Sequence, residues 1–220
     1  MKKNSKMNTI NFQEGFNVNM PLMLDLTDKK VVIVGGGKIA TRRVQTLLDY
    51  TTLIHVVSPT LTETIEQLVK TKCITYSNKC FEPQDIDDAD FVIAATNDQK
   101  VNEEVMRALP RHALFNHAGQ AELGNVTFPN IFKRNRLTIG VSTEGASPKL
   151  GQRIIKNLEH TYTEDYADYV QFLYESRQYI KALKIEPSDK QALLEQILSE
   201  KYLDETKQHE FIRWLKSQVK

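Results

Sequence analysis

The chain has 220 residues, enough for one large domain or two small ones with a buried core. Lys+Arg number 29 against Asp+Glu 28, a net charge of +1 that argues against a strongly basic nucleic-acid binder. Hydrophobic content of 40% with 26% charged residues is globular, not disordered.

Residues 1–19 start with lysines but carry no apolar run for a signal peptide, and read as a ragged lead-in. The longest apolar stretches run to about seven residues, far short of a membrane span. The sequence therefore predicts a cytoplasmic protein. Its two cysteines, Cys73 and Cys80, fit neither a disulfide scaffold nor a four-ligand zinc site, as expected in a reducing compartment.

MPLMLDL (20–26) has the pattern of a short strand, and KVVIVGGG (30–37) is a β-branched run closed by three glycines. Ile39, Ala40, Val44, Leu47 and Leu48 then recur at helical spacing. A second strand is expected over 53–59, a helix over 61–70 capped by Thr60 or Thr62, and a third strand over 74–78. DFVIAATND (90–98) is apolar on both faces, as a buried parallel strand should be. A helix over 101–109 and a strand over 113–118 follow. Strands alternating with helices argue for a parallel sheet built from βαβ units.

The pattern then changes. Residues 125–132 and 136–143 read as two strands with no helix between them, and EGASP (144–148) as a turn. From about 149 every signal is helical, over 150–160, 166–183, 190–200 and 205–220. The expected division is a lead-in (1–19), a nucleotide-binding sheet domain (20–118), a two-strand segment (119–148) and a helical domain (149–220).

Gly35-Gly36-Gly37-Lys38-Ile39-Ala40 matches G-x-G-x-x-A after a strand and into a helix. The first glycine permits the tight turn, Gly37 lets a pyrophosphate approach the backbone, and Ala40 lets the helix pack close. The helix N-terminus supplies free N–H groups and partial positive charge for the phosphates. This is the sequence of a Rossmann-like α/β domain that binds a dinucleotide through residues 35–39. The ribose-reading position about twenty residues on holds Ser58, Pro59 and Thr60 instead of an acid. No arginine stands there for a 2′-phosphate either, so NAD is favoured over NADP. Thr96, Asn97 and Asp98 end the fourth strand, where an open α/β sheet has its crevice. They would line the cofactor site, although Asn97 or Asp98 equally suits a cap for the next helix.

Three segments together resemble the siroheme-synthase N-terminal family, the NAD-dependent precorrin-2 dehydrogenases: residues 31–43, 91–105 and 136–150. The similarity runs from about Met20 to Leu183. No methyltransferase domain follows, so the chain resembles the stand-alone dehydrogenases of Gram-positive bacteria. The resemblance implies oxidation of precorrin-2, a reduced tetrapyrrole with eight carboxylates, to sirohydrochlorin with NAD⁺ as hydride acceptor. It also implies a homodimer joined through the two-strand segment. Some relatives insert Fe²⁺ as well, using an aspartate in an N-x-x-D sequence after the fifth strand. Here that sequence is Asn116-His117-Ala118-Gly119, and Gly119 can neither take a proton nor bind a metal. Glu122 and His117 remain as candidate general bases.

Between Asn130 and Lys156 lie Lys133, Arg134, Arg136, Lys149, Arg153 and Lys156 against Glu144 alone. Such a patch suits a polycarboxylate, as does the hydroxyl-rich turn. Asn116, Arg136, Ser142, Thr143, Gly145, Ser147 and Lys149 are the expected substrate residues. The acidic stretch 159–175 could face a basic one across a dimer or simply be solvated. The aromatic series from Tyr162 to Leu173 is read as helix packing. The five histidines lack metal-ligand spacing, and no permanent metal is expected. Two rival readings are a bifunctional dehydrogenase–ferrochelatase and a non-catalytic NAD-sensing module.

Overall fold

The structure, a computed structural model, describes residues 19–218. The expected lead-in, Asn19 excepted, lies outside the described residues. The chain divides into two compact units, with the border between Thr127 and Phe128.

The first unit is a parallel sheet. Its strands are β1 (Val31–Val34), β2 (Ile54–Val57), β3 (Thr75–Ser77), β4 (Phe91–Ala94) and β5 (Leu114–His117). They lie in the order β3-β2-β1-β4-β5, all parallel. Every residue of β1 and β4 is buried, which explains their unbroken apolar runs. The helices are α1 (Lys38–Leu47), α2 (Glu63–Lys70) and α3 (Gln99–Ala108). Val32, Val34, Val92, Ala94 and Phe115 share one core cluster with Val105 of α3. Ile33, Ile93 and Asn116 are register partners at the alternate positions, and so belong to the opposite face. Thr62 caps α2 by accepting from Ile65 N–H, and Asp98 caps α3 by accepting from Lys100 N–H.

Two expected strands are corrected. Residues 20–26 form no strand: Pro21 lacks an N–H, and the side chain of Asp25 captures the backbone and hydroxyl of Thr27 in a turn. Met23 is 76% exposed there. Residues 125–129 also stand outside the ribbon, because they serve β5. Asn125 and Val126 both donate N–H to Phe115 O, and Asn125 Oδ1 accepts from Phe115 N at 2.7 Å.

The second unit opens with an antiparallel ribbon, β6 (Asn130–Arg134) and β7 (Leu137–Val141), turned at Asn135 with φ 50°. Four helices follow: α4 (Pro148–Thr161), α5 (Tyr166–Ala182), α6 (Pro187–Gln196) and α7 (Glu205–Gln218). The ribbon buries Phe132 and packs on α4 so closely that a Cβ at Gly151 would sit 2.5 Å from Asn130 Nδ2. The helical core contains Tyr169, Phe172, Ile180, Leu183, Ile197, Tyr202, Phe211 and Leu215. Tyr162, Tyr166, Tyr169 and Phe172 form a continuous series of ring contacts, 4.9 to 6.3 Å between centroids. Burial pushes the Tyr169 hydroxyl above its ordinary range, and that hydroxyl donates to Ile197 O. The series ends at Trp214, the sole tryptophan, 5.4 Å from Phe211. No helix among the described residues is long and apolar enough to cross a membrane.

Candidate functional site

The sheet changes winding direction between β1 and β4, and the loops leaving those strands form the crevice expected of such a sheet. The first loop is the glycine turn. Gly35 has φ +120°, and a Cβ on it would lie 2.4 Å from Ala95 O, so the two loops touch through bare backbone. A Cβ on Gly36 would lie 2.0 Å from Thr60 O. Gly37 differs: nothing stands within 4 Å of where its Cβ would be. It is exposed, caps α1 with no side-chain hydrogen bond, and is followed by exposed Lys38 and Ile39. An open approach to a helix N-terminus with no acid in its first turn fits a dinucleotide pyrophosphate.

The remaining predicted cofactor residues divide by how much of their chemistry is already engaged. Ser58 is buried and donates its hydroxyl proton to Thr60 O at 2.8 Å, while Tyr76 OH holds Ser58 O at 2.9 Å. Ser58 thus shapes the turn, and Pro59 and Thr60 are the exposed residues at its edge. Thr96 Oγ1 is 2.8 Å from both Asp98 O and Asn102 Oδ1, and Asp98 is occupied as the cap of α3. Asn97 is exposed between them.

Asn102 was not anticipated from the sequence. It is buried on α3, accepts from Thr96 N–H and donates to Thr96 O, and so locks the crevice loop to the helix. The available signal was an amide between Val101 and Val105 on the apolar face of a helix.

At the end of β5, Asn116 donates Nδ2–H to Val126 O at 2.9 Å, and its buried Oδ1 has no partner among the described residues. His117 is buried, lies edge-on to Phe115, and accepts Gln120 N–H on Nδ1 at 2.9 Å. A neutral imidazole accepting on Nδ1 carries its proton on Nε2, so this ring is arranged to donate. Gly119 has no steric need to be glycine: a Cβ would stand 3.6 Å from His117 Cε1, an ordinary contact. Glu122 lies on an exposed one-turn 3-10 helix, Ala121–Leu123.

In the second unit the hydroxyl-rich turn follows β7. Glu144 (φ 48°) and Gly145 (φ +83°) are both left-handed, and nothing crowds Gly145. Ser142 Oγ accepts from Glu144 N–H, Thr143 Oγ1 from Ser147 N–H, and Ser147 Oγ from Leu150 N–H as the cap of α4. Each hydroxyl is oriented by a backbone donor and retains its own proton to donate. Lys149 is exposed one residue into α4. The Arg136 guanidinium stacks 3.5 Å from the centroid of the Tyr174 ring. Arg134 is otherwise engaged, with Tyr162 O, Glu164 and the face of Phe132. No three His, Cys, Asp or Glu side chains are grouped to hold a metal among the described residues.

A parallel sheet with a glycine turn and an open helix N-terminus at its switch point defines a dinucleotide-binding protein. A family model for NAD(P)-binding, NAD_binding_7, matches residues 22–130, and a model for the SirC C-terminal domain matches residues 166–211. The chain is 39% identical to the precorrin-2 dehydrogenase of Priestia megaterium, over 87% of this chain and 96% of that one. It is 39% identical to the precorrin-2 dehydrogenase of Bacillus subtilis (strain 168), over 72% of this chain and 98% of that one. The solved structure of SirC, a precorrin-2 dehydrogenase, superposes with a TM-score of 0.80 at 37% identity, covering 90% of this chain and all of that one. The chain belongs to the precorrin-2 dehydrogenase family.

Proposed function

We propose that this protein oxidises precorrin-2 to sirohydrochlorin with NAD⁺ as the hydride acceptor, a step in siroheme synthesis. The observation that carries this is the 39% identity to the Priestia megaterium dehydrogenase, which extends over almost the whole of both chains. The glycine turn suits the cofactor, since the space beside Gly37 is open while Gly35 and Gly36 are packed tight. NAD is favoured over NADP because residues 57–60 offer no cation for a 2′-phosphate.

The reaction removes two hydrogens. Bound NAD⁺ would supply the hydride acceptor, and a protein group takes the accompanying proton. Glu122 is the better base: it is exposed, while His117 Nδ1 is already occupied by Gln120 N–H. His117 then acts as the acceptor of Gln120 N–H that fixes the loop ahead of Glu122. Asn116, Arg136, Ser142, Thr143, Gly145, Ser147 and Lys149 are the substrate residues. Three oriented hydroxyls, a stacked guanidinium and an ammonium are apt donors for carboxylates.

The reading includes a cytoplasmic homodimer joined through the ribbon. Ile131 lies exposed on β6, and the two-stranded sheet has no further strand on either edge among the described residues. Cys73 and Cys80 are both free and exposed, in keeping with a reducing compartment.

Anaerobic incubation of the pure protein with precorrin-2 and NAD⁺ tests the function through NADH absorbance, and absence of turnover would sink it. Glu122→Ala is expected to lower kcat by about 100-fold, and His117→Ala by less. A wild-type kcat in Glu122→Ala removes Glu122 as the base.

A further inference from the structure

The outer face of α4 carries a row of cations beyond Lys149. At about 100° per residue, Lys149, Arg153 and Lys156 fall within one sector roughly 60° wide, and His160 continues it. The inward positions Gly151, Ile154, Ile155 and Leu158 lie on the opposite side of the helix, Gly151 against Asn130 of the ribbon. Elsewhere some exposed helix cations have a carboxylate one turn away, as Arg107 has Glu103 on α3 and Lys207 has Glu210 on α7. α4 has a single acid, Glu159, about a quarter turn off the row. Lys149, Arg153 and Lys156 are exposed and make no ion pair among the described residues.

We propose that Arg153 and Lys156 extend the substrate site along α4, as a row that reads the peripheral carboxylates of precorrin-2. The inference rests on the function proposed above. From Lys149 to Lys156 the helix rises about 10 Å, so the three cations can meet different carboxylates of one tetrapyrrole instead of sharing one. A uniform row without acids favours a polyanion held at several points, and Arg153 adds a planar fork that suits a carboxylate. Specificity follows: a tetrapyrrole with fewer carboxylates would leave part of the row unmatched.

The test compares Arg153→Glu/Lys156→Glu with wild type and with the charge-conserving Arg153→Lys/Lys156→Arg. Arg213→Glu/Lys216→Glu, an equal charge reversal at two exposed positions of α7, controls for net charge. Two readouts are used: KM for precorrin-2 at saturating NAD⁺, and the Kd of a porphyrin octacarboxylate from its own fluorescence polarisation. The double reversal is expected to raise both about tenfold or more, with near wild-type values in the conservative pair and the control. Unchanged KM and Kd in the double reversal overturn the row, while continued wild-type turnover leaves the dehydrogenase reading standing. An equal rise in Arg213→Glu/Lys216→Glu also overturns it, since the effect would then be net charge alone. If wild type turns over no precorrin-2 but the double reversal still weakens porphyrin binding, the row stands and the dehydrogenase reading falls.

Discussion

Two turns in this molecule use glycine at positive φ, for opposite reasons. At Gly35 and Gly36 the neighbouring backbone approaches so closely that any Cβ would collide, at 2.4 Å with Ala95 O and 2.0 Å with Thr60 O. At Gly145 the space is empty, and only the left-handed conformation favours glycine. The first turn is dictated by packing between strands β1, β2 and β4. The second is a local arrangement of hydroxyls and backbone donors that faces outward. A motif of the first kind is recognisable wherever the sheet recurs, whereas the second becomes informative only when its hydrogen bonds are seen.

Substitutions can break this contrast. Gly37→Asp should lose NAD⁺ affinity by about 100-fold or more in calorimetry with little change in Tm, because the site is open but a carboxylate would face the pyrophosphate. Gly36→Ala should instead unfold the first unit more easily, by about 3 kcal/mol in urea denaturation, because Thr60 O cannot be displaced cheaply. If Gly37→Asp proves the destabilising change and Gly36→Ala is silent, the steric account of this turn is wrong. Gly145→Ala should cost about 1 kcal/mol, from backbone strain alone. A larger loss would mean the outward turn is packed after all.

A smaller effect concerns the sheet away from the crevice. His55 places its ring nitrogens 2.8 Å from Thr75 Oγ1 and 3.0 Å from Ser77 Oγ, bridging β2 to β3. Burial holds its pKa below the ordinary imidazole value, and Lys30 and Lys79 push it the same way against Asp85 and Asp88. The folded state therefore binds the proton less readily than the unfolded chain. That contribution to stability is full above the unfolded value of about 6.5 and shrinks as pH falls below it. His55→Gln should flatten the acid side of a Tm-against-pH profile, and an unaltered slope would rule His55 out as its source.

Much of the first unit was legible because parallel strands buried on both faces are uniformly apolar and the glycine motif sits directly after one of them. The strand expected over 20–26 had suitable side chains, but Pro21 offers no N–H and the Asp25 side chain draws the chain into a turn at Thr27 instead. Residues 125–129 misled for a related reason: Asn125 and Val126 bond back to Phe115, a pairing that alternation along the chain cannot reveal. The glycine turn was readable as a cofactor site, yet the closure of the Ser58 hydroxyl onto Thr60 O was not. Asn102 escaped notice because one amide on a helix carries no motif, although it fixes the loop through both of its functional atoms. The second site gave its composition to sequence reading but not its grouping. Six cations counted together separate into Arg134, engaged with Glu164, Arg136, stacked on Tyr174, and others including the row on α4.

The single tryptophan has a practical consequence. Trp214 belongs to α7 and leans on Phe211, so intrinsic emission excited at the red edge of protein absorbance originates wholly in the second unit. The sheet unit is dark in that channel, whereas backbone ellipticity reports the helices of both units. Without any label, tryptophan emission therefore follows the second unit alone, and a melting curve by ellipticity that departs from it would show that the two halves do not unfold as one.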